Sequence, residues 1–513
     1  AFPLVRNVSA LKGRQFDLLV VGGGIYGAWT AYDAAQRGLK VALIEKNDWG
    51  SGTSSASSKL IHGGLRYLEH YAFGLVRHAL RERRTLSNIA PHLVRPLNFI
   101  LPVWKGPRAG MFMLSAGLTL YDMLALGGQP VPWHREYRSG ALLEQYPYID
   151  PEKLLGGFRY GDCQEDDARM TLMVVAAAQA AGAVCINRIS AQELLYDQGR
   201  FHGATLTDGE TRETFNVTAS CVAATAGPWA RQVLGDAAPK VKLIKGTHII
   251  LPAIPGCTDA FLLTAQDGRV FFVIPWYGRT LVGTTEKEVQ SPSEAVPTPD
   301  EISYLINGVH NGLPGLGWTE RDVIGAFAGV RTLQAEDEQD LAAVTREFTI
   351  LEPRPGVIVP IGGKYTTSRC DSVDIVDRVY KSLGRKAPPS NTHAQPLPGS
   401  PPQQAGFELW QVSAQEQLQA AGIDAQASQW LTLRHGARIA RILELCAENA
   451  AWKERIHADA PFIKAEAILA VREEMARSAE DICRRRMPLS LLVRDGAWRE
   501  QVEQLVAPEL GKP

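Results

Sequence analysis

Cysteine is sparse in this chain: seven in 513 residues, each isolated, at Cys163, Cys185, Cys221, Cys257, Cys370, Cys446 and Cys483. No Cys-x-x-Cys pair occurs, and the count is odd. That spacing argues against zinc and iron–sulfur ligation, so no metal is expected, and it points to free thiols in a reducing compartment. A surplus of charge is also missing. The formal net charge is −1, which supplies no electrostatic footprint for a nucleic acid. No window reaches about 18 clean apolar residues, the length that a membrane-crossing helix requires. The first residues do not read as a signal peptide.

The nearest approach to a span is Ala109 to Leu126, interrupted by Ser115, Thr119, Tyr121 and Asp122. Its composition predicts a buried helix; the alternative is an apolar helix lying in a membrane interface.

The richest signal is FDLLVVGGGIYGAWTAYDAAQRGLKVALIEK, from Phe16 to Lys46. Phe16 to Val21 predicts a buried strand. Gly22, Gly24 and Gly27 follow as Gly-x-Gly-x-x-Gly. A helix with a small face (Ala28, Ala31, Ala34, Ala35) leads to a second strand, Leu39 to Ile44, which ends at Glu45. In such a turn the first glycine permits the bend, the second admits a pyrophosphate and the third lets the helix approach the sheet. The helix N-terminus favours the anion, and an acid about 20 residues on suits ribose hydroxyls. An ADP-containing cofactor is expected; the turn alone does not separate FAD from NAD.

The Ser/Thr/Gly run Asn47 to Ser58 is predicted to line a second side of the pyrophosphate, and Gly63-Gly64 to pass close to a flat ring. Phe73 to Ile89 reads as a helix whose arginines form a solvated face. Asp166 or Asp167 is placed to cap the helix Met170 to Ala181. Lys242 to Leu251 alternates as a strand carrying Lys245 and His248, and Val270 to Trp276 with Thr280 to Thr285 reads as a hairpin. Gly329-Val330-Arg331 ends another strand, with Arg346 on the next, and Gly362-Gly363-Lys364 is a second glycine turn. Pro388 to Gln403 reads as a semi-rigid linker, and roughly 405 to 510 as amphipathic helices, with Arg484-Arg485-Arg486 on a solvated face.

These motifs resemble the FAD-dependent glycerol-3-phosphate dehydrogenases. The matching residues are GGGIYGA at 22–28, TSSASSKLIHGGLRYLEHY at 53–71, DCQEDDAR at 162–169, AGPW at 226–229, IKGTHI at 244–249, VIPW at 273–276, GTT at 283–285, GVR at 329–331 and GGKYTT at 362–367. Two departures stand out: Ala224-Thr225-Ala226 replaces the family's Asn-Ala-Thr, and Thr332 replaces a proline beside Arg331. The second bears on substrate identity.

The resemblance implies an α/β (α+β) architecture: a glutathione-reductase-like, Rossmann-type FAD domain, an antiparallel-sheet substrate domain and a C-terminal helical domain. The expected limits are 1–100, 150–240 and 320–387 for the discontinuous FAD-binding domain. The capping domain takes 101–149 and 241–319, the linker 388–404 and the helical domain 405–513. Gly22, Gly24, Gly27, Glu45, Thr53, Ser54, Ser57, Ser58, His62, Gly227, Gly362, Gly363 and Lys364 would hold FAD. Arg66, Tyr67, His248, Thr284, Arg331, Arg346 and Lys364 would line the substrate pocket, with His248, Arg331 and Lys364 catalytic.

The implied reaction oxidises sn-glycerol 3-phosphate to dihydroxyacetone phosphate. A phosphate dianion calls for arginine forks, and His248 suits the hydroxyl proton. The partners implied are a phosphorylated polyol and a quinone or other electron acceptor, with peripheral contact on the inner face of a cytoplasmic membrane and a homodimer. The alternatives are another polyol phosphate, such as erythritol phosphate, or an FAD-binding scaffold without turnover.

Overall fold

The computed structural model describes residues 1–335, 348–402 and 406–511. Arg346 lies outside them.

Gln15–Val21 sits in the middle of the first sheet because nearly every one of its side chains is apolar and buried. It pairs in parallel with Val41–Glu45 on one side and Thr214–Ala224 on the other. Val184–Asn187 and Val357–Gly362 extend the parallel set outward. Strand alternation sends Leu18, Val20, Val41 and Leu43 to one face, and Leu19, Val21, Ala42 and Ile44 to the other. The first face is covered by the helices Ile25–Gln36, Asp167–Ala180 and Ser368–Ser382. The second is covered by the antiparallel ribbon Ile189–Asp197 and Arg200–Asp208.

The second sheet has ten strands and is antiparallel except where Ala260–Thr264 runs alongside Val94–Trp104. The strand Val241–Pro252 pairs with Gly325–Gln334 on one side and with Arg279–Gly283 and Lys287–Val289 on the other. The expected hairpin is present, as Val270–Trp276 with Arg279–Gly283. Sheet membership departs from the expected domain limits. Val94–Trp104, Leu154–Glu165 and Gly325–Gln334 belong to this sheet, although all or most of each fell within the nucleotide unit's limits. Strand patterning marks a strand but not its neighbours.

The C-terminal helices, from Phe407–Ala420 to Ala497–Leu510, have their own apolar core. They also pack apolar side chains, among them Phe462, Ile482, Leu489 and Val502, into a core shared with the second sheet. Charge ties them to the helix Asp167–Ala180: Arg169 donates two hydrogen bonds to Glu474, at 2.7 and 2.9 Å, with both side chains buried.

Four expectations are corrected here. The arginine triplet is not a solvated face: Arg485 and Arg486 donate to Asp48 at 2.7–2.8 Å, and Arg484 donates to the Ser55 carbonyl at 3.0 Å. Asp48 is fully buried, and a buried carboxylate needs such partners. The helix Phe73–Ile89 keeps the expected solvated face at Arg77, Arg81 and Arg84 but departs from it at Arg83, which is buried with Glu82. The proline-rich stretch is a strap on the first domain. Its Leu397 N–H donates to the Ile89 carbonyl at 2.9 Å, and Ser390 bonds Asp33. Finally, Met111–Leu124 is not a buried helix: it buries Leu118, Tyr121 and Asp122 but leaves Phe112 89% and Met113 67% exposed.

Candidate active site

The Gly22–Gly27 turn joins the central strand to the helix Ile25–Gln36. Gly22 has φ +108°, and a Cβ there would lie 2.5 Å from the Thr225 carbonyl oxygen. A Cβ at Gly27 would overlap the Gly22 carbonyl oxygen, and one at Gly24 would lie 2.8 Å from Ser54 Oγ. Bare backbone is therefore required at Gly22 and Gly27, and a side chain at Gly24 would displace the Ser54 hydroxyl. Gly24 heads the helix without a side-chain cap, and Ile25 N–H donates to Ser54 Oγ at 2.8 Å. Glu45 accepts from Gly23 N–H at 2.9 Å and Asn47 N–H at 2.7 Å, one on each carboxylate oxygen. Each oxygen keeps further acceptor capacity.

A cavity of about 1800 Å³ opens from this turn and is lined by residues of both sheets. That exceeds the space a single small ligand needs and admits a dinucleotide with a substrate. Thr53, Ser54, Ser57 and Ser58 line it, as do Gly227, His62, Gly362, Gly363 and Lys364. All four hydroxyls are engaged with protein groups: Ser54 with the Ile25 N–H, Thr53 with the Val330 carbonyl at 2.5 Å, Ser57 with Asp167 at 2.8 Å and Ser58 with His248 Nε2 at 2.8 Å. Arg66, Tyr67, Thr284 and Arg331 line the same cavity. The Lys364 ammonium stands 3.5 Å from the Tyr67 ring centroid, and Arg66 is 5.3 Å from it.

His248 faces Gly283 across one strand pair and Phe327 across the other. A Cβ at Gly283 would overlap the imidazole, so this glycine makes its room. Burial, with Lys59 nearby, pushes His248 down to about 3, and the ring is neutral at pH 7. Burial, with Lys364 and Arg66, pushes His62 down to about 3 as well.

The comparisons with known proteins bear on this site. Residues 17–364 match the family model described as FAD dependent oxidoreductase, and 390–512 match the C-terminal domain of alpha-glycerophosphate oxidase. A glycerol-3-phosphate dehydrogenase from Synechocystis sp. is 36% identical, over 96% of this chain and 92% of that protein. The aerobic glycerol-3-phosphate dehydrogenase of Staphylococcus aureus is 32% identical, over 93% and 87%. The crystal structure of the Bacillus halodurans glycerol-3-phosphate dehydrogenase complexed with FAD superposes with a TM-score of 0.79 at 28% identity, covering 98% of this chain and 92% of that one. The chain belongs to the FAD-dependent glycerol-3-phosphate dehydrogenases.

The residues present fit the dehydrogenase's cofactor. The three side-chain-free positions at the helix start admit a pyrophosphate, Glu45 retains acceptor capacity for a ribose, and Gly362 and Gly363, at φ +78° and +91°, hold a second bare turn at the cavity.

Several site residues of the dehydrogenase were not singled out from sequence. Glu286 bonds Arg331 at 2.9 Å, both lining the cavity. Asp162 accepts from Arg83 at 2.6 Å and Tyr121 at 2.7 Å, and the Tyr121 hydroxyl accepts from Gly63 N–H at 2.8 Å. Lys59 pairs with Asp167 at 2.7 Å, both buried. The acid run 162–167 carried a signal, but it read as a helix cap. Asp166 does cap Asp167–Ala180, accepting from Arg169 N–H at 3.1 Å, while its neighbours turn inward.

Proposed function

We propose that this chain oxidises sn-glycerol 3-phosphate to dihydroxyacetone phosphate and passes the electrons to a membrane quinone. Bound FAD supplies the two-electron acceptor for the hydride leaving C2. The chain's residues supply charge, aim and a proton acceptor. Arg331, assisted by Arg66 and Lys364, binds the phosphate dianion, and a guanidinium fork suits its oxygens. Anchoring that end of a three-carbon substrate brings C2 to the ring, which is an orientation effect. Neutral His248 takes the hydroxyl proton, with the Ser58 hydroxyl as the polar contact at Nε2. Gly22, Gly24, Gly27, Glu45, Ser54, Gly362 and Gly363 hold the cofactor.

The observation that carries this reading is the shared cavity. The dinucleotide turn, three cations and a neutral imidazole line one space. Support for a quinone comes from the exposed apolar side of Met111–Leu124, because Met113, Leu114 and Gly117 of that helix also line the cavity. A helix that is apolar outward beside a cavity mouth suits a lipid interface. No helix of the described residues is long and apolar enough to cross a membrane.

Anaerobic mixing of the FAD-loaded enzyme with sn-glycerol 3-phosphate is expected to bleach the flavin absorbance. Faster bleaching by erythritol phosphate would transfer the assignment to that substrate, and no bleaching by either would leave a cofactor-binding scaffold. Hydrogen peroxide produced in proportion to turnover in air would replace the quinone by oxygen.

A further inference from the structure

The helices Phe73–Ile89 and Ser368–Ser382 meet at the buried pair of Glu82 with Arg369, at 2.6 and 3.0 Å. Beside that pair they bring together three groups that the proposed reaction does not use. His78 Nε2 lies 3.0 Å from Cys370 Sγ. A carboxylate oxygen of Asp371 completes a triangle in which all ligand atoms are within 4.8 Å of one another. His78 is exposed, Cys370 partly buried and Asp371 buried, so one side is open to solvent.

We propose that His78, Cys370 and Asp371 form a binding site for Zn²⁺ that acts on the Lys364 loop. Imidazole nitrogen, thiolate sulfur and carboxylate oxygen are the donors zinc takes in tetrahedral sites, at about 2.0–2.3 Å from the metal. That geometry spaces ligand atoms by roughly 3.5 Å, so the His78–Cys370 edge opens slightly from 3.0 Å while Asp371 draws in, and water completes the set from the open side. Binding exchanges the Cys370 proton for the metal: the S–H bond breaks, the proton goes to solvent and a Zn–S bond forms. The carboxylates of Asp371 and Asp374 beside Cys370 attract a divalent ion.

Occupation reaches the active site through one hydroxyl. Tyr26 accepts from the Lys364 N–H at 2.8 Å, and its own proton lies within reach of both Asp371, at 2.6 Å, and the Lys364 carbonyl, at 3.1 Å. Zinc on that Asp371 oxygen competes with Tyr26 and turns the hydroxyl proton to the Lys364 carbonyl, which resets the backbone of Lys364. The site is therefore inhibitory.

The test is calorimetric titration of ZnCl₂ into the FAD-loaded enzyme in a non-coordinating buffer, with turnover followed in parallel. One Zn²⁺ per chain is expected. H78A and C370S are each expected to weaken binding at least tenfold while retaining wild-type flavin content and zinc-free turnover. Turnover of the wild type is expected to fall with occupancy and to return with EDTA, while both variants resist. Absence of binding, or equal binding in wild type and both variants, overturns the site. Stoichiometric binding without loss of turnover overturns the link to Lys364. The binding arm does not depend on which substrate the enzyme uses.

Discussion

The Phe327 ring lies over the His248 imidazole, with centroids 5.0 Å apart and planes inclined by 11°. The same phenyl ring carries the Lys59 ammonium and the Arg484 guanidinium, each 5.1 Å from its centroid. A side chain of the C-terminal domain thus contacts the residue that packs on His248. Burial first, and the Lys59 charge second, keep His248 neutral, as a proton acceptor must be before the reaction.

His248→Ala is expected to slow anaerobic flavin reduction by glycerol 3-phosphate about 10²–10⁴-fold, the range for losing a positioned base. Phe327→Leu, which keeps bulk but loses the stack, should slow it by roughly tenfold, with FAD content unchanged in both. Stopped-flow traces indistinguishable from wild type in His248→Ala would remove His248 from the chemistry.

Arg331 already has a partner, Glu286 at 2.9 Å, and both are about half exposed. A substrate phosphate must share or displace that carboxylate. Glu286→Gln should lower KM for glycerol 3-phosphate several-fold, and Arg331→Ala should raise it at least tenfold. Exposure makes both effects salt-sensitive, so they should shrink between low and high ionic strength. Unchanged KM in both variants would move the phosphate elsewhere.

Glu466 is buried and accepts from Arg434 Nε at 2.8 Å and His435 Nε2 at 2.8 Å. Burial alone would raise its carboxyl, but the Arg434 charge and the His435 bond hold it down to about 2. Because the folded value lies below the ordinary one, this stabilisation is present above about 4.5 and is lost as pH falls towards 2. Glu466→Gln should therefore cost about 3–5 kcal/mol at pH 7 by leaving a buried guanidinium uncompensated. The gap in melting temperature between wild type and variant should narrow between pH 4.5 and 3; a constant gap over that range would contradict the assignment.

Phe112 and Met113 stand out from Met111–Leu124. Changing both to serine removes apolar side chains worth about 1.5–3 kcal/mol each when fully buried. Vesicle co-sedimentation should fall at least tenfold. Turnover with a long-chain quinone should fall with it, while turnover with a water-soluble dye is kept. Equal sedimentation of the two proteins would leave the apolar face unexplained.

Local chemistry was legible along the chain because its signals are short-range. The glycine turn, the acid at the end of the next strand, the Asp166 cap and the hairpin at 270–283 each depend on residues within about 30 positions. Long-range charge was not legible. Arg484, Arg485, Arg486, Glu82 and Arg83 carry the pattern of a solvated helix, and only the buried Asp48, Arg369 and Asp162 opposite them turn them inward. The partner lies tens to hundreds of residues away, and no periodicity encodes it.

By itself, then, the sequence determined the class of cofactor and the kind of strand–turn–helix that receives it, since bare backbone at fixed spacing follows from sterics alone. It also named Arg66, Arg331 and Lys364 among the cations that line the cavity. Tertiary structure decided which sheet each strand joined, that Glu286 shares Arg331, that the helix at 111–124 shows its apolar side to solvent, and that His78 meets Cys370. Those outcomes depend on which surfaces close against each other, and burial turns charges inward only once both sides of a contact exist.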